Sequence, residues 1–202
     1  MEGMNSHSCP ASPDPEPPGV LGAPGAPGMP GGMAAGGRLG RRARILCGGM
    51  VAFLYVLDQA TKLWTVRNLE LGEHRVVGVG WFDWVHFSNT GAAFGILQDS
   101  NRFFMGLSLV ALGGIGWALW RGVFPGWGNR VALLWLLVGV LGNLTDRLLH
   151  GYVVDFLLFD LGFAPANPWP AFNVADSCIC GAVVLLLWGS LREEWGRGRR
   201  KA

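Results

Sequence analysis

Charged residues are scarce in this chain of 202 residues, because Asp, Glu, Lys and Arg together make up only 15% of it. Soluble domains usually carry about 25% charged residues. Half of the residues are hydrophobic, and the mean hydropathy is +0.33. The low charge and the high hydropathy together argue against a water-soluble globular domain.

Lysine is nearly absent, since only two of the 16 basic residues are lysines, and most basic residues lie near the two ends of the chain. The formal net charge is +2, and the interior of the sequence carries no basic stripe of the kind that binds nucleic acids. We therefore expect no nucleic-acid partner.

Metal-binding spacings are also missing from the sequence. The four cysteines form no Cys-x-x-Cys pair, and no His-Glu-x-x-His motif occurs. Both spacings are typical of zinc sites. We therefore expect no metal and no cofactor, and we interpret Cys47 and Cys178, which lie in apolar runs, as small packing residues.

The first 40 residues differ from the rest, because they hold eight of the twelve prolines and ten of the 32 glycines. A segment of this composition cannot bury enough apolar surface to fold. It also lacks the apolar run of a signal peptide. We expect residues 1–40 to form a disordered tail, with Met33 as an alternative start.

Four apolar segments follow this tail and predict an all-α integral membrane protein. They cover about residues 45–64, 103–120, 131–147 and 172–191. About 20 residues cross a bilayer core, so the third and fourth segments are long enough only if their polar residues also lie within the membrane. We expect a four-transmembrane-helix bundle over residues 41–195 and a basic tail over residues 196–202.

The basic residues favour one orientation of these helices. Arginines between positions 38 and 44 precede the first segment, Arg121 and Arg130 separate the second from the third, and five basic residues follow the fourth. Positively charged flanks remain on the cytoplasmic side of a membrane. Both termini are therefore expected to be cytoplasmic.

Two loops then lie on the outer side. The first, about residues 67–101, contains two stretches rich in valine and aromatic residues, 75–79 and 81–87, which predict strands of a small extracytoplasmic β-sheet in this loop. The second, residues 150–171, carries an apolar run and three prolines, so we expect it to lie at the membrane interface. Judged by its position alone, Asp155 in this second loop is predicted to be solvated.

Polar residues of the apolar segments converge on one depth of the predicted bundle. The set comprises Asp58, Lys62, Asn143, Asp146, Arg147, Asn173 and Asp176. Spacings of three and four residues place the members of each segment on one helical face. Because a charge in the membrane costs about 2.5–3.5 kcal/mol, we expect these residues to form a shared polar pocket.

Several of these residues also have a purely structural interpretation. Asp58 and Lys62 can form a simple salt bridge near a helix end. Asn143 can join two helices by a hydrogen bond, and Arg147 can extend to the membrane surface. Asp176 can cap or pair near the start of its helix.

Other classes of function also place charges within a membrane. Transporters and channels use them as ion and proton pathways. Here the charged residues are confined to the predicted outer half of the bundle, so no relay crosses the membrane. A transporter or channel and a non-catalytic membrane scaffold remain the alternatives to an enzyme.

Five short motifs occur in order along the apolar region. They are Asp58-Gln-Ala-Thr-Lys62, Asn89-Thr-Gly91-Ala-Ala-Phe94, Gly142-Asn-Leu-Thr-Asp-Arg147, Gly151-Tyr-Val-Val-Asp155-Phe156 and Phe172-Asn-Val-Ala-Asp176-Ser177. In order, residue type and spacing they resemble the lipoprotein signal peptidase family, also called signal peptidase II. The resemblance covers about residues 45–192.

The resemblance implies an aspartic endopeptidase of the bacterial cytoplasmic membrane, with its active site near the outer face. Such an enzyme removes signal peptides from diacylglyceryl-modified prolipoproteins, just before the lipidated Cys. The family's catalytic pair corresponds to Asp155 and Asp176, which replaces the solvated interpretation of Asp155. Two close carboxylates share a proton, as acid–base hydrolysis requires. We expect a monomer in contact with membrane lipids.

The same resemblance implies substrate-binding or supporting roles for other motif residues. These residues are Asp58, Lys62, Asn89, Gly91, Asn143, Asp146, Arg147 and Asn173. Asn89, Asn143 and Arg147 are expected to hold the substrate backbone, and Asn173 to position the carboxylates. The two remaining Asp residues and the Lys are expected to brace helices and loops around the site.

The two outer loops resemble the family's cradle and lid. The predicted sheet corresponds to the cradle, and the second outer loop corresponds to a lid over the site. We expect Leu157 and Phe159 to be apolar residues of that lid.

Overall fold

The computed structural model describes residues 40–76, 81–91, 97–162 and 169–199. In these ranges the chain forms four long helices and one four-stranded antiparallel sheet. The helices are α1 (Arg41–Asn68), α2 (Asn101–Arg121), α3 (Trp127–Leu149) and α4 (Val174–Arg199), and the strands are β1 (His74–Val76), β2 (Phe82–Asn89), β3 (Val153–Phe159) and β4 (Trp169–Phe172). Residues 1–39 of the predicted tail and residues 200–202 lie outside the described residues.

Each of the four helices is long and apolar enough to cross a membrane. They contain 28, 21, 23 and 26 residues, and about 20 residues are needed. The predicted number of membrane-spanning helices is therefore confirmed by length and composition. The most central helix is α3, because 44% of its apolar window is buried, against 11% for α1 and for α2.

All four helices begin at positions other than predicted, with α1 four residues and α2 two residues earlier. Helix α3 begins at Trp127, four residues before the predicted segment. It directly follows Gly126, whose φ of 98° is not helical. Helix α4 begins at Val174, two residues later than predicted, because Phe172 belongs to β4. The polar start of α4 therefore lies directly against the end of a strand.

A capping box begins α4. The Asn173 side-chain oxygen accepts a hydrogen bond from the Asp176 backbone N–H at 2.9 Å, and the Asp176 carboxylate accepts one from the Asn173 backbone N–H at 3.3 Å. This reciprocal pair satisfies two backbone donors that the first helical turn leaves free. Asp176 is thereby held in the first turn of α4.

Two glycines allow α3 to approach its neighbours closely. A Cβ atom on Gly139 would lie 2.5 Å from the Ala175 carbonyl oxygen, and one on Gly142 would lie 2.6 Å from the Asp58 carboxylate. Small residues at helix contacts are common in membrane proteins because they let backbones approach. The close approach brings the polar faces of α1, α3 and α4 together.

The sheet corrects the prediction that confined it to the first outer loop. Strands β1 and β2 lie between α1 and α2, but β3 and β4 lie between α3 and α4. The strand order is β1-β2-β3-β4, and β2 pairs with β3 so that Asn89 lies opposite Val153 and Phe82 opposite Phe159. The two segments between helices therefore form one sheet.

The observed strands also revise the predicted lid and strand bounds. Leu157 lies opposite Trp84 of β2, and Phe159 opposite Trp169 of β4, so both predicted lid residues belong to a central strand. The first predicted strand, 75–79, is observed over His74–Val76, and residues 77–80 lie outside the described residues. Within the predicted lid loop, 150–171, residues 163–168 also lie outside them.

Strand β3, which lies in the second predicted outer loop, is buried within the protein. Its four residues from Val153 to Phe156 are all buried, and Asp155 is only 3% exposed. A strand that is covered on both faces reads as a continuous apolar run instead of an alternating one. The single carboxylate in that run is therefore a buried group, which the solvated interpretation missed.

Aromatic contacts fasten the sheet to the end of α1. The Trp84 indole N–H donates a hydrogen bond to the Thr65 hydroxyl at 2.8 Å, and its ring stacks on Phe156 at 4.9 Å. The buried His86 imidazole bonds the Leu69 carbonyl oxygen at 2.9 Å, just beyond the end of α1. These contacts fix the position of β2 and β3 relative to the end of α1.

Candidate active site

Two carboxylates line one cavity of about 780 Å³ between the sheet and α4. Asp155 reaches it from β3, and Asp176 reaches it from the first turn of α4. Asn173 contacts both, because its side-chain N–H donates to Asp155 at 2.8 Å and its backbone N–H donates to Asp176 at 3.3 Å. The structure thus brings together the two residues that the sequence predicts to be catalytic.

The electrostatic surroundings favour a proton on this pair. Burial raises the pKa of Asp155 to about 7, and the negative charge of Asp176 acts in the same direction. Hydrogen bonds from Asn89 and Asn173, and the more distant charge of Lys62, partly oppose this shift. A carboxyl group with this pKa exchanges a proton near neutral pH, as acid–base chemistry requires.

Asn89, at the end of β2, positions Asp155 from the sheet side. Its side-chain N–H donates to Asp155 Oδ2 at 3.0 Å, and its oxygen accepts a hydrogen bond from the Gly91 backbone N–H at 3.0 Å. Asn89 and the buried Gly91 both line the cavity. The following motif residues, 92–94, lie outside the described residues.

Asn143 of α3 positions the second carboxylate. Its side-chain N–H donates to Asp176 Oδ1 at 2.7 Å. Its oxygen accepts hydrogen bonds from the Lys62 ammonium at 3.1 Å and from the Asn173 side chain at 3.2 Å. Asn143 therefore connects Asp176 to a polar cluster beneath the cavity.

That cluster is a buried ion network around Lys62. The ammonium lies 2.9 Å from Asp58 Oδ2 and 3.0 Å from Asp146 Oδ2, and these three side chains are at most 3% exposed. Asp58 also accepts a hydrogen bond from the Ala175 backbone N–H, and Asp146 accepts one from the Val154 backbone N–H. The network therefore connects α1 to the start of α4, and α3 to β3.

Gln59 belongs to the same network, although the sequence predicted no role for it. Its side-chain nitrogen lies 3.1 Å from Asp58 Oδ2 and 3.3 Å from the Gly142 carbonyl oxygen. Its position directly after Asp58 could have indicated this, because an amide side chain inside an apolar segment needs a hydrogen-bonding partner.

Arg147 contacts the loop after β2. Its guanidinium donates a hydrogen bond to the Gly91 carbonyl oxygen at 3.2 Å and lies over the Phe104 ring at 5.1 Å. Phe104, on α2, is a contact that no motif indicated, because its partner is remote in the sequence. Arg147 thus joins α2, α3 and the loop that carries Gly91.

The remaining cavity wall is largely apolar. Phe87 contributes from β2, Trp169 and Phe172 contribute from β4, and Ile179 contributes from α4. Ser177 also lines the cavity, and its hydroxyl donates a hydrogen bond to the Asn173 carbonyl oxygen at 3.0 Å. Among the described residues, no group of three or more His, Cys, Asp or Glu side chains is arranged to hold a metal ion.

The chain resembles one family of membrane proteases over most of its length. A family model described as signal peptidase (SPase) II matches residues 50–192. A lipoprotein signal peptidase of Cupriavidus taiwanensis is 41% identical over 144 residues, which cover 68% of this chain and 77% of that protein. A lipoprotein signal peptidase of Psychromonas ingrahamii is 35% identical over 145 residues, which cover 70% of this chain and 82% of that protein.

The likeness extends across distant bacteria and to a solved structure. A lipoprotein signal peptidase of Lactiplantibacillus plantarum is 38% identical over 145 residues, which cover 72% of this chain and 93% of that protein. A structure described as a bacterial membrane enzyme superposes with a TM-score of 0.68 at 28% identity, covering 76% of this chain and 90% of that one.

Proposed function

The chain belongs to the signal peptidase II family, and from this premise we propose that it is an aspartic endopeptidase whose catalytic pair is Asp155 and Asp176. Family membership makes it a multi-pass bacterial membrane protease that processes prolipoproteins. The observation that carries the proposal is that two carboxylates, the buried Asp155 and the partly buried Asp176, are both bonded to Asn173 and line one cavity. Cleavage is proposed just before a diacylglyceryl-modified Cys.

The proposed reaction is hydrolysis by a water molecule between the two carboxylates. The ionised carboxylate takes a proton from water, whose oxygen attacks the scissile carbonyl carbon, while the protonated carboxyl group donates its proton to the carbonyl oxygen. The carboxyl group that took the proton from water then donates it to the amide nitrogen, the other carboxylate takes a proton from a hydroxyl group of the tetrahedral intermediate, and the C–N bond breaks, which restores the starting state of the pair. Because the pair titrates as a unit, both roles belong to the pair.

Amide side chains hold this pair in place. Asn89 and Asn173 donate to Asp155, and Asn143 donates to Asp176. Each amide nitrogen carries two N–H groups, so Asn89 and Asn143 retain the capacity to bind a peptide carbonyl. We therefore propose that Asn89 and Asn143, together with Arg147, contact the backbone of the substrate.

The proposed topology places both termini in the cytoplasm and the cavity near the outer face. Exposed arginines lie on the flanks that the proposal assigns to the cytoplasm. They are Arg41, Arg42 and Arg44 at the start of α1, Arg121 at the end of α2, and Arg192 in the last part of α4. The sheet and the cavity lie at the opposite ends of these helices. Residues 41–195 are proposed to act as a monomer surrounded by lipid, since large apolar side chains are exposed along the helices.

The test uses purified protein in detergent with a diacylglyceryl-modified prolipoprotein, and follows the product by gel shift. We expect cleavage by the unaltered protein and none by Asp155→Asn or Asp176→Asn. Asp160→Asn is the matched control, because Asp160 is an exposed carboxylate just after β3. An unmodified prolipoprotein tests whether the lipid is required.

Two outcomes would contradict the proposal. Full cleavage by either Asn variant would exclude the catalytic pair. Absence of cleavage by the unaltered protein, with an authentic family enzyme active under the same conditions, would exclude the peptidase activity and favour a scaffold or a transporter.

A further inference from the structure

The orientation of the Asn143 amide is decided by the groups around it. An amide oxygen only accepts and an amide nitrogen only donates, so a half-turn of the side chain exchanges their roles. In the observed orientation the oxygen faces two donors, Lys62 Nζ at 3.1 Å and Asn173 Nδ2 at 3.2 Å, and the nitrogen faces Asp176 Oδ1 at 2.7 Å. After a half-turn, donors would face donors and an oxygen would face the carboxylate.

Lys62 is the group that cannot adapt to a reversed amide. Asn173 is an amide itself and carries both donor and acceptor atoms, whereas an ammonium carries only donors. Its three N–H groups match three acceptors, Asp58 at 2.9 Å, Asp146 at 3.0 Å and Asn143 at 3.1 Å. The two carboxylates therefore hold a fixed donor against the Asn143 oxygen.

We propose that Lys62 is a positioning residue of the catalytic reaction, which acts through Asn143 by holding an N–H group against Asp176. This inference rests on the proposed function, since it assumes that Asp176 is catalytic. An N–H donor stabilises an ionised carboxylate, whereas an amide oxygen in its place would stabilise a protonated one. Loss of Lys62 therefore disturbs the sharing of the proton between Asp176 and Asp155.

The charge of Lys62 must be separated from its orienting role. Charged groups outside the pair interact with it from two helices, namely Asp58 and Lys62 of α1 and Arg147 of α3, and Asp155 and Asp176 also interact with each other. The double variant Lys62→Met with Asp58→Asn removes one positive and one negative charge, so the charge of the cluster is unchanged. In the unaltered protein, Asp58 accepts a hydrogen bond from the Ala175 backbone N–H at 2.8 Å. The side-chain oxygen of the Asp58→Asn variant can accept the same hydrogen bond.

The decisive experiment is a double-mutant cycle on kcat and KM for the lipidated prolipoprotein. In the first comparison, the double variant Lys62→Met with Asp58→Asn is measured against the unaltered protein. In the second comparison, Asn143→Ala is measured with and without these two substitutions. We expect kcat to fall about 10- to 100-fold in the first comparison and less than about 3-fold in the second, with KM changed by less than about 2-fold. Equal losses in both comparisons would overturn the proposal.

A second variant keeps the test independent of whether the double variant folds. Asn143→Asp has the same shape and keeps an acceptor for Lys62, but it has no N–H group for Asp176. We expect at least about a 100-fold loss of kcat, because a second carboxyl group beside Asp176 also competes for the proton that Asp176 and Asp155 share. Retention of more than half of kcat would overturn the proposal.

The controls separate this inference from the proposed function. Leu63→Ala changes the neighbouring residue, which is 48% exposed, and we expect unchanged kcat. Failure of the unaltered protein to cleave would refute the peptidase proposal itself. Cleavage by the unaltered protein, together with a double variant that loses only thermal stability and keeps kcat, would refute the role of Lys62 alone.

Discussion

Two pairs of aspartates lie side by side in this molecule, and their surroundings differ. Asp58 and Asp146 share the Lys62 ammonium at 2.9 and 3.0 Å and are sealed between helices. Asp155 and Asp176 accept hydrogen bonds from amides and backbone N–H groups and line a cavity. A buried carboxylate neutralised by a cation stabilises the fold, whereas one held only by neutral donors remains available for proton transfer.

The largest effect is expected from neutralising the second pair. Asp155→Asn and Asp176→Asn should each lower kcat about 10²- to 10⁴-fold, because each removes one partner of the acid–base step. The double Asn variant should be no worse than either single variant, since the residues act as a unit. Steady-state cleavage assays check this, and additive losses would contradict it. The fold should remain intact, because Asn keeps the shape of the side chain.

Breaking the first pair should instead destabilise the fold. Lys62→Ala leaves two buried carboxylates without their cation, which should lower the free energy of unfolding by about 3–5 kcal/mol. Arg75→Ala is the matched control, because the Arg75–Glu73 pair is exposed and 3.9 Å apart, and it should cost at most about 1 kcal/mol. Thermal melting in detergent measures both. Equal losses would show that the buried network has no special role in stability.

A smaller effect should follow from separating α3 from its neighbours. Gly142→Ala places a Cβ atom 2.6 Å from the Asp58 carboxylate and should destabilise the protein by about 1–3 kcal/mol. Gly113→Ala in α2 meets nothing within 4 Å and should be neutral or stabilising by up to about 1 kcal/mol. The two melting temperatures should therefore move apart. A shift in the same direction would contradict the close packing of α3.

The last expected effect is a gradual dependence on pH. Because the pKa of Asp155 is raised to about 7, the pair loses its proton above neutral pH, and kcat/KM should fall about tenfold per pH unit there. The fold holds the protonated form more tightly than the unfolded chain does, so stability should decline as pH rises from about 4 to about 7. Asp155→Asn should remove this part of the pH dependence of melting. A profile without a fall above neutral pH would contradict the assignment.

Local sequence patterns were sufficient for the helical part of the fold. Four apolar runs predicted four spanning helices, because hydrophobicity and helix length are properties of consecutive residues. The i, i+4 spacing of Asp58 and Lys62 predicted a shared face, and the ion pair at 2.9 Å lies on that face. The order of the five motifs also identified the family, which the comparisons confirm.

Long-range pairing was beyond these patterns. Asp155 looked like a loop residue, because nothing near it in the sequence reveals that β3 pairs with β2, where Phe87 lies opposite it. Phe104 beneath Arg147 and Gln59 beside Gly142 depend in the same way on residues that are remote in the chain. The predicted cradle was therefore incomplete, and the predicted lid residues proved to belong to a central strand.

Consecutive residues were enough to define the spanning helices, the polar residues they carry and the family to which the chain belongs. Which carboxylates face a cation and which face amides depends on the folded chain. That division depends on the close approach of α1, α3 and α4 and on the strand that inserts Asp155 beside Asp176. Its physical reason is that burial and hydrogen bonding, which set the charge state of a carboxylate, come from neighbours in space rather than from neighbours in the chain.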